Sequence, residues 1–178
     1  MNRTLESKEI DANPYWVYKK DSYKIANGEA RDYYYAETNG SVLIIPYLEY
    51  SRVVYLCKQF RYLMEDHVYE FSGGSIEVGE TPIDTAQKEL EEELGITGID
   101  FEEIGRMNPC KGITKEVCHI IVCKIDNIGE QKLEQSEDIQ RIYVSIDELE
   151  DLLISRDVSD GMSLAALALF KSYIKNNK

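Results

Sequence analysis

The sequence is poor in the features that mark zinc sites, nucleic-acid binding and membrane insertion. It has four cysteines, Cys57, Cys110, Cys118 and Cys123, and no two form a C-x-x-C pair. Only His67 and His119 stand beside them, so zinc-ligand spacing is absent. Cys57 and Cys123 fall in apolar, strand-like runs and read as buried thiols. His119 lies in the alternation Val117-Cys-His-Ile-Ile-Val-Cys123 and reads as a core or edge histidine. Basic residues are scarce as well. Twenty Lys and Arg face 33 Asp and Glu, for a formal net charge of −13. That balance excludes a nucleic-acid backbone as the main partner, since such binding needs clustered Lys and Arg. An anionic substrate would need a metal to offset the field. No N-terminal apolar run has the form of a signal peptide, and none is long enough to span a bilayer. The expected location is therefore cytoplasmic. Internal repeats and low-complexity segments are absent. The 178 residues suit one domain with a small N-terminal extension, enough to bury a substantial core.

The chain is organised around Gly74 to Ile96, which reads G-S-I-E-V-G-E-T-P-I-D-T-A-Q-K-E-L-E-E-E-L-G-I. Thr81 is a good N-cap, and Asp84 completes a capping box three residues on. Pro82 takes the first helical position, where its missing N–H costs nothing. The helix is expected to end at Leu94, with Gly95 as its left-handed terminator. Ile83, Ala86, Leu90 and Leu94 then form one apolar stripe. Glu89, Glu92 and Glu93 share an adjacent face, Glu91 points away to solvent, and Lys88 can pair with Asp84, Glu91 or Glu92. Three carboxylates on one face repel each other by a few tenths of a kcal/mol per pair, roughly. A hard divalent cation removes that repulsion, and Mg²⁺ favours carboxylates combined with substrate phosphates. The alternative is a solvated acidic face. The preceding Gly73-Gly74 turn and the caps at both ends favour the metal.

Residues 1–12 are polar and read as frayed. Tyr15 to Ala36 reads as a tyrosine-rich hairpin about Asn27-Gly28. It docks either on its own domain or on a partner subunit. Trp16 and Tyr33 to Tyr35 suit core packing or stacking on a nucleobase. Strands are expected at Ser41–Tyr47, Val53–Gln59, Val68–Phe71, Phe101–Met107, Val117–Ile125 and Gln140–Val144. Arg61 is either a surface charge or an anion clamp. Asn108 to Glu116 reads as an ordered loop and Glu130 to Asp138 as an acidic one. Ser145 and Glu148 form a capping box for a helix to Leu153, and a last helix covers Ser163 to Ile174. Without a regular βαβ repeat, this order favours a mixed sheet flanked by helices.

The central stretch resembles the Nudix box, G-x5-E-x7-R-E-U-x-E-E-x-G-U, with U a bulky aliphatic residue. Gly74, Glu80, Glu89, Leu90, Glu92, Glu93, Gly95 and Ile96 match it, and Lys88 replaces the arginine. Further runs resemble the ADP-ribose/ADP-sugar pyrophosphatase branch. They are Arg31–Tyr35, Ser41–Pro46, Cys57–Arg61, Glu70–Gly74, Glu137–Ile139 and Ser159–Leu167. The resemblance implies an α/β/α sandwich, mixed α+β in class, as residues 39–178. It implies an N-terminal β extension, residues 1–38, whose hairpin reaches across a homodimer. It implies hydrolysis of a nucleoside diphosphate-sugar with Mg²⁺ or Mn²⁺. Alternatives are another nucleotide substrate, or a non-catalytic sensing module. By position, Glu89, Glu92, Glu93 and the Gly73 carbonyl would hold metal. Arg61 would meet the diphosphate, Glu70 would lie beside the substrate, and Glu116 would support substrate or metal. Glu137 would be the general base, with Glu134 as second choice. The branch's Leu-Pro-Ala-Gly is here Phe71-Ser-Gly-Gly74. Lys111 replaces a proline before Gly112, either as a solvated lysine or facing an extra negative charge of the substrate.

Overall fold

The computed structural model describes residues 3–155 and 159–177. Strands β1 (Thr4–Ala12), β2 (Val17–Lys24) and β3 (Ala30–Glu37) come first, then β4 (Ser41–Leu48) and β5 (Val53–Arg61). A 3-10 turn at Tyr62–Met64 leads into β6 (Asp66–Glu70) and β7 (Ser72–Ser75). Helix α1 (Pro82–Leu94) is followed by β8 (Ile96–Met107), β9 (Thr114–Lys115), β10 (Cys118–Ile128) and β11 (Ile139–Ser145). Helices α2 (Leu149–Leu153) and α3 (Gly161–Asn176) complete the order.

Strand alternation dictates the layers. The main sheet runs β11-β5-β4-β10-β8, with β6 on β5 and β7 on β4. It is mixed, because β10 lies parallel to β4 while its other pairs are antiparallel. Successive side chains of a strand face opposite ways. Val42, Ile44, Ile121 and Cys123 pack on Ala86, Leu90 and Leu94 of α1. Leu43, Ile45, Ile120 and Val122 pack on Ala166, Leu167 and Phe170 of α3 and on Leu149 and Leu153 of α2. The result is the expected mixed sheet between helices. Leu90 is wholly buried, which contributes about 1.5–3 kcal/mol.

The local signals around α1 are realised. Asp84 N donates to Thr81 Oγ1 at 3.2 Å, and Thr81 N donates back to Asp84 Oδ2 at 3.0 Å. Gly95 has φ 61° and donates its N–H to Glu91 O at 3.0 Å. Several boundaries differ from expectation. Strand β8 starts at Ile96, immediately after the helix, and α2 begins at Leu149 although Ser145 and Glu148 do bond reciprocally. Helix α3 starts two residues early because Asp160 caps it, accepting from Met162 N and Ser163 N.

The N-terminal segment overturns two expectations. Residues 4–12 are not frayed but form β1, in a second sheet ordered β1-β2-β3-β9. Every residue of β1 is exposed, so its backbone ladder rather than burial holds it. Nor do the aromatics pack in a core: Trp16, Tyr33 and Tyr34 are exposed. Among the described residues, no helix is long and apolar enough to cross a membrane.

Candidate active site

The site forms where β7 runs past the middle of α1. Strand β7 pairs with β4, bringing Gly73 opposite Leu43 and Gly74 opposite Val42. A Cβ on Gly74 would fall inside contact distance of the Glu89 carboxylate, and one on Gly73 would strike Val42 O. These two glycines therefore serve close approach. Gly73 N donates to Glu93 Oε2 at 3.0 Å, and Cys57 Sγ lies 3.8 Å from the same oxygen. Ser72 Oγ, fully buried, has no hydrogen-bond partner among the described residues.

Glu93 is buried and Glu89 half-buried. Burial first, then the Glu93 and Glu92 charges, pushes the Glu89 carboxyl up to about 7. Burial likewise pushes Glu93 to about 7, although the nearby Ser72 side chain and the Gly73 N–H, which donates to it, pull it back. The Glu137 charge raises both, so Glu137 lies within electrostatic reach of these two carboxylates. Such frustration between neighbouring acids is what a cation relieves. The donors are hard oxygens, the set that suits Mg²⁺ and Mn²⁺. Among the described residues, no three His, Cys, Asp or Glu side chains close around one point. The fit therefore rests on the donor chemistry and the raised carboxyls.

A cavity of about 490 Å³ opens beside Gly73 and Gly74, with Arg61, Glu70, Glu116 and Asp160 in its walls. Arg61 grips Glu70 with two nitrogens: Nε is 2.9 Å from Oε1 and Nη2 is 2.9 Å from Oε2. Burial pushes the Glu70 carboxyl up while the guanidinium pulls it back. Glu116 accepts from Ser41 Oγ at 2.7 Å. Lys111 is not in this wall. It lines a neighbouring cavity of about 730 Å³ with Tyr33, Tyr35 and Asn108, and Glu116 borders both. Glu134 is exposed, and its N–H donates to Glu137 Oε2 at 2.9 Å.

Lys88 departs from its expected partners. Asp84 is engaged by Thr81, so Lys88 reaches back to Glu77 at 3.0 Å. His119 lies on the interior strand β10 rather than at an edge, half-buried, with Nδ1 2.8 Å from Glu103 Oε2. Cys57 and Cys123 are buried as expected. Asp160 and Ser41 were not singled out from the sequence. Asp160 had one readable signal, its N-cap position three residues before Ser163.

Comparison with known proteins adds to this geometry. Residues 38–163 match the family model described as NUDIX domain. The chain is 28% identical over 167 residues to an ADP-ribose pyrophosphatase of Bacillus subtilis (strain 168), covering 93% of this chain and 90% of that one. It is 30% identical over 137 residues to an ADP-sugar pyrophosphatase of Mus musculus, covering 68% and 61%. A crystal structure of an ADP compounds hydrolase superimposes with a TM-score of 0.83 at 20% identity, over 98% of this chain and 94% of that chain.

Proposed function

Because the chain belongs to the NUDIX family and is a hydrolase acting on pyrophosphate bonds, we propose that it splits a nucleoside diphosphate-sugar of the ADP-ribose type. The products are a nucleoside monophosphate and a sugar phosphate. The observation that carries this reading is the pair Glu89 and Glu93, both pushed to about 7 and set against the backbone of Gly73 and Gly74. The similarity to the Bacillus and mouse proteins supports the substrate class.

In this reading Glu89, Glu92, Glu93 and the Gly73 carbonyl hold Mg²⁺ or Mn²⁺. When bound, the cation neutralises diphosphate oxygens and makes a water more acidic. Glu137 would take the proton from the attacking water, contributing about 10²- to 10⁴-fold. Glu134 holds Glu137 through its backbone N–H rather than acting as base itself. Arg61 binds the diphosphate. Glu70 occupies its Nε and Nη2 and so fixes the plane of the guanidinium. Glu116, at the border of both cavities, supports the substrate, and Lys111 meets its far end in the second one. Lys88 keeps the charge of the arginine it replaces without the fork.

Residues 1–38 act as an extension whose hairpin sits on a second copy, making a homodimer that works in the cytoplasm. The extension exposes Leu5, Ile10, Tyr15 and Trp16, which supports this arrangement. A panel of ADP-ribose, other nucleotide sugars, dinucleotides and nucleoside triphosphates, with products identified by mass spectrometry, tests the substrate. Fastest release of a nucleoside monophosphate from ADP-ribose is expected. Preference for a triphosphate would refute it, and tight binding without product would point to a sensing module.

A further inference from the structure

The carbonyls at the end of α1 are captured by the segment that follows β10 and by Arg141 of β11. Lys132 N donates to Glu92 O at 2.9 Å and Gly129 N to Gly95 O at 2.7 Å. Gln131 Nε2 donates to Glu93 O at 2.5 Å, and Arg141 Nη1 to Leu94 O at 2.5 Å. Helix-end carbonyls lack partners within the helix, so these bonds dock the segment there. The same Gln131 Nε2 lies 3.4 Å from Ile139 O, where β11 begins. Gln131 thus joins both ends of the 131–139 loop to the backbone of Glu93. Within the loop Glu137 N donates to Glu134 O at 3.1 Å, and Glu134 N donates to Glu137 Oε2 at 2.9 Å. At its far end Phe60 N donates to Asp138 O at 3.0 Å. The Glu137 carboxylate is therefore tied to the helix through two links, the Lys132 N–H and the Gln131 amide, and of these the amide alone also reaches the start of β11.

We propose that Gln131 is a positioning residue: its amide fixes where the Glu137 carboxylate stands relative to Glu89 and Glu93. This rests on the reading of Glu137 as general base. Gln131 acts only through backbone carbonyls, so its loss shifts the base without altering the ligands on α1 or the walls that hold the substrate.

The test is a double-mutant cycle on wild type, Gln131→Met, Glu137→Gln and the double variant. It uses ADP-ribose with Mg²⁺, or the fastest nucleotide of the panel. Methionine keeps the length of the side chain and removes the donor. Gln131→Met is expected to lower kcat between about tenfold and 10²-fold, the range of a misplacement on the order of 1 Å. KM should stay within about twofold, because the loss falls on the reacting step rather than on binding. Amide hydrogen exchange should quicken at residues 132–138 and not at 85–91. In the Glu137→Gln background the substitution should cost less than about threefold, since the two act as a unit. Unchanged kcat in Gln131→Met, or an equal loss in both backgrounds, would overturn the proposal and leave the base assignment standing. Wild-type kcat in Glu137→Gln would overturn both. Should Gln131→Met fail to fold, Gln131→Asn, one methylene shorter, is read the same way.

Discussion

Glycine at position 74 is required by a carboxylate, not by a turn. The space a Cβ would occupy holds the Glu89 side chain, whereas next to Gly73 it holds Val42 backbone. A side-chain end can swing away and a strand carbonyl cannot. Gly74→Ala is therefore expected to lower turnover with little change in melting. Gly73→Ala is expected to cost about 1–3 kcal/mol of stability, as overpacking does. Thermal melts and rates on the two variants check the contrast, and equal destabilisation would refute it. At the same scale, Glu93→Gln removes a buried acid that the fold has to tolerate. Its melt should match wild type or rise, measured without metal. The acidic positions 89, 92 and 93 were legible because one helix face orders them. Gln131 and Arg141 were not, because their partners lie far away in the chain. Gln131 meets Glu93 O and Arg141 meets Leu94 O across 38 and 47 residues.

Helix α1 shows how an element carries both signals and costs. Its cap, its proline, its terminator and its apolar stripe were all readable, because each depends on neighbours within four residues. Strand β1 was not readable, since a strand exposed along its whole length and held by its ladder to β2 leaves no apolar period. Leu90, which anchors α1 to the sheet, is expected to cost about 2–5 kcal/mol when changed to alanine. Chemical denaturation measures this, and a loss below 1 kcal/mol, roughly, would contradict such a cavity cost. The acidic face makes the opposite contribution. Glu89 and Glu93, raised from 4.5 to about 7, bind protons more tightly folded than unfolded. Between those values the folded chain holds the extra protons, so stability falls as pH rises through that window. The cost is fully present above about pH 7, where a cation can relieve it. Metal-free protein should therefore melt lower at about pH 8 than at about pH 5.5, and Glu93→Gln should flatten that slope. Mg²⁺ should raise the melting temperature more at the higher pH, because protons compete for its ligands. A pH-independent Mg²⁺ shift would contradict the metal assignment.

At the scale of the whole molecule, two sheets divide the work. The main sheet holds α1 against β7 and so builds the site. The N-terminal sheet leaves Leu5, Ile10, Tyr15 and Trp16 exposed, a pattern that composition alone did not predict. Light scattering is expected to give twice the mass of one chain, and Leu5→Asp with Trp16→Asp should return it to one. A wild-type monomer at micromolar concentration would refute the dimer. In the proposed reading an anionic substrate is held, against a net charge of −13, by Arg61 and by a cation on the α1 carboxylates. The most direct test of that account is AMP release from ADP-ribose with Mg²⁺, wild type beside Glu93→Gln. The account predicts AMP and ribose 5-phosphate from wild type. It predicts a rate at least about 10²-fold lower in the variant, since metal stabilisation of the transition state is worth several kcal/mol. Equal rates in the two proteins would contradict it.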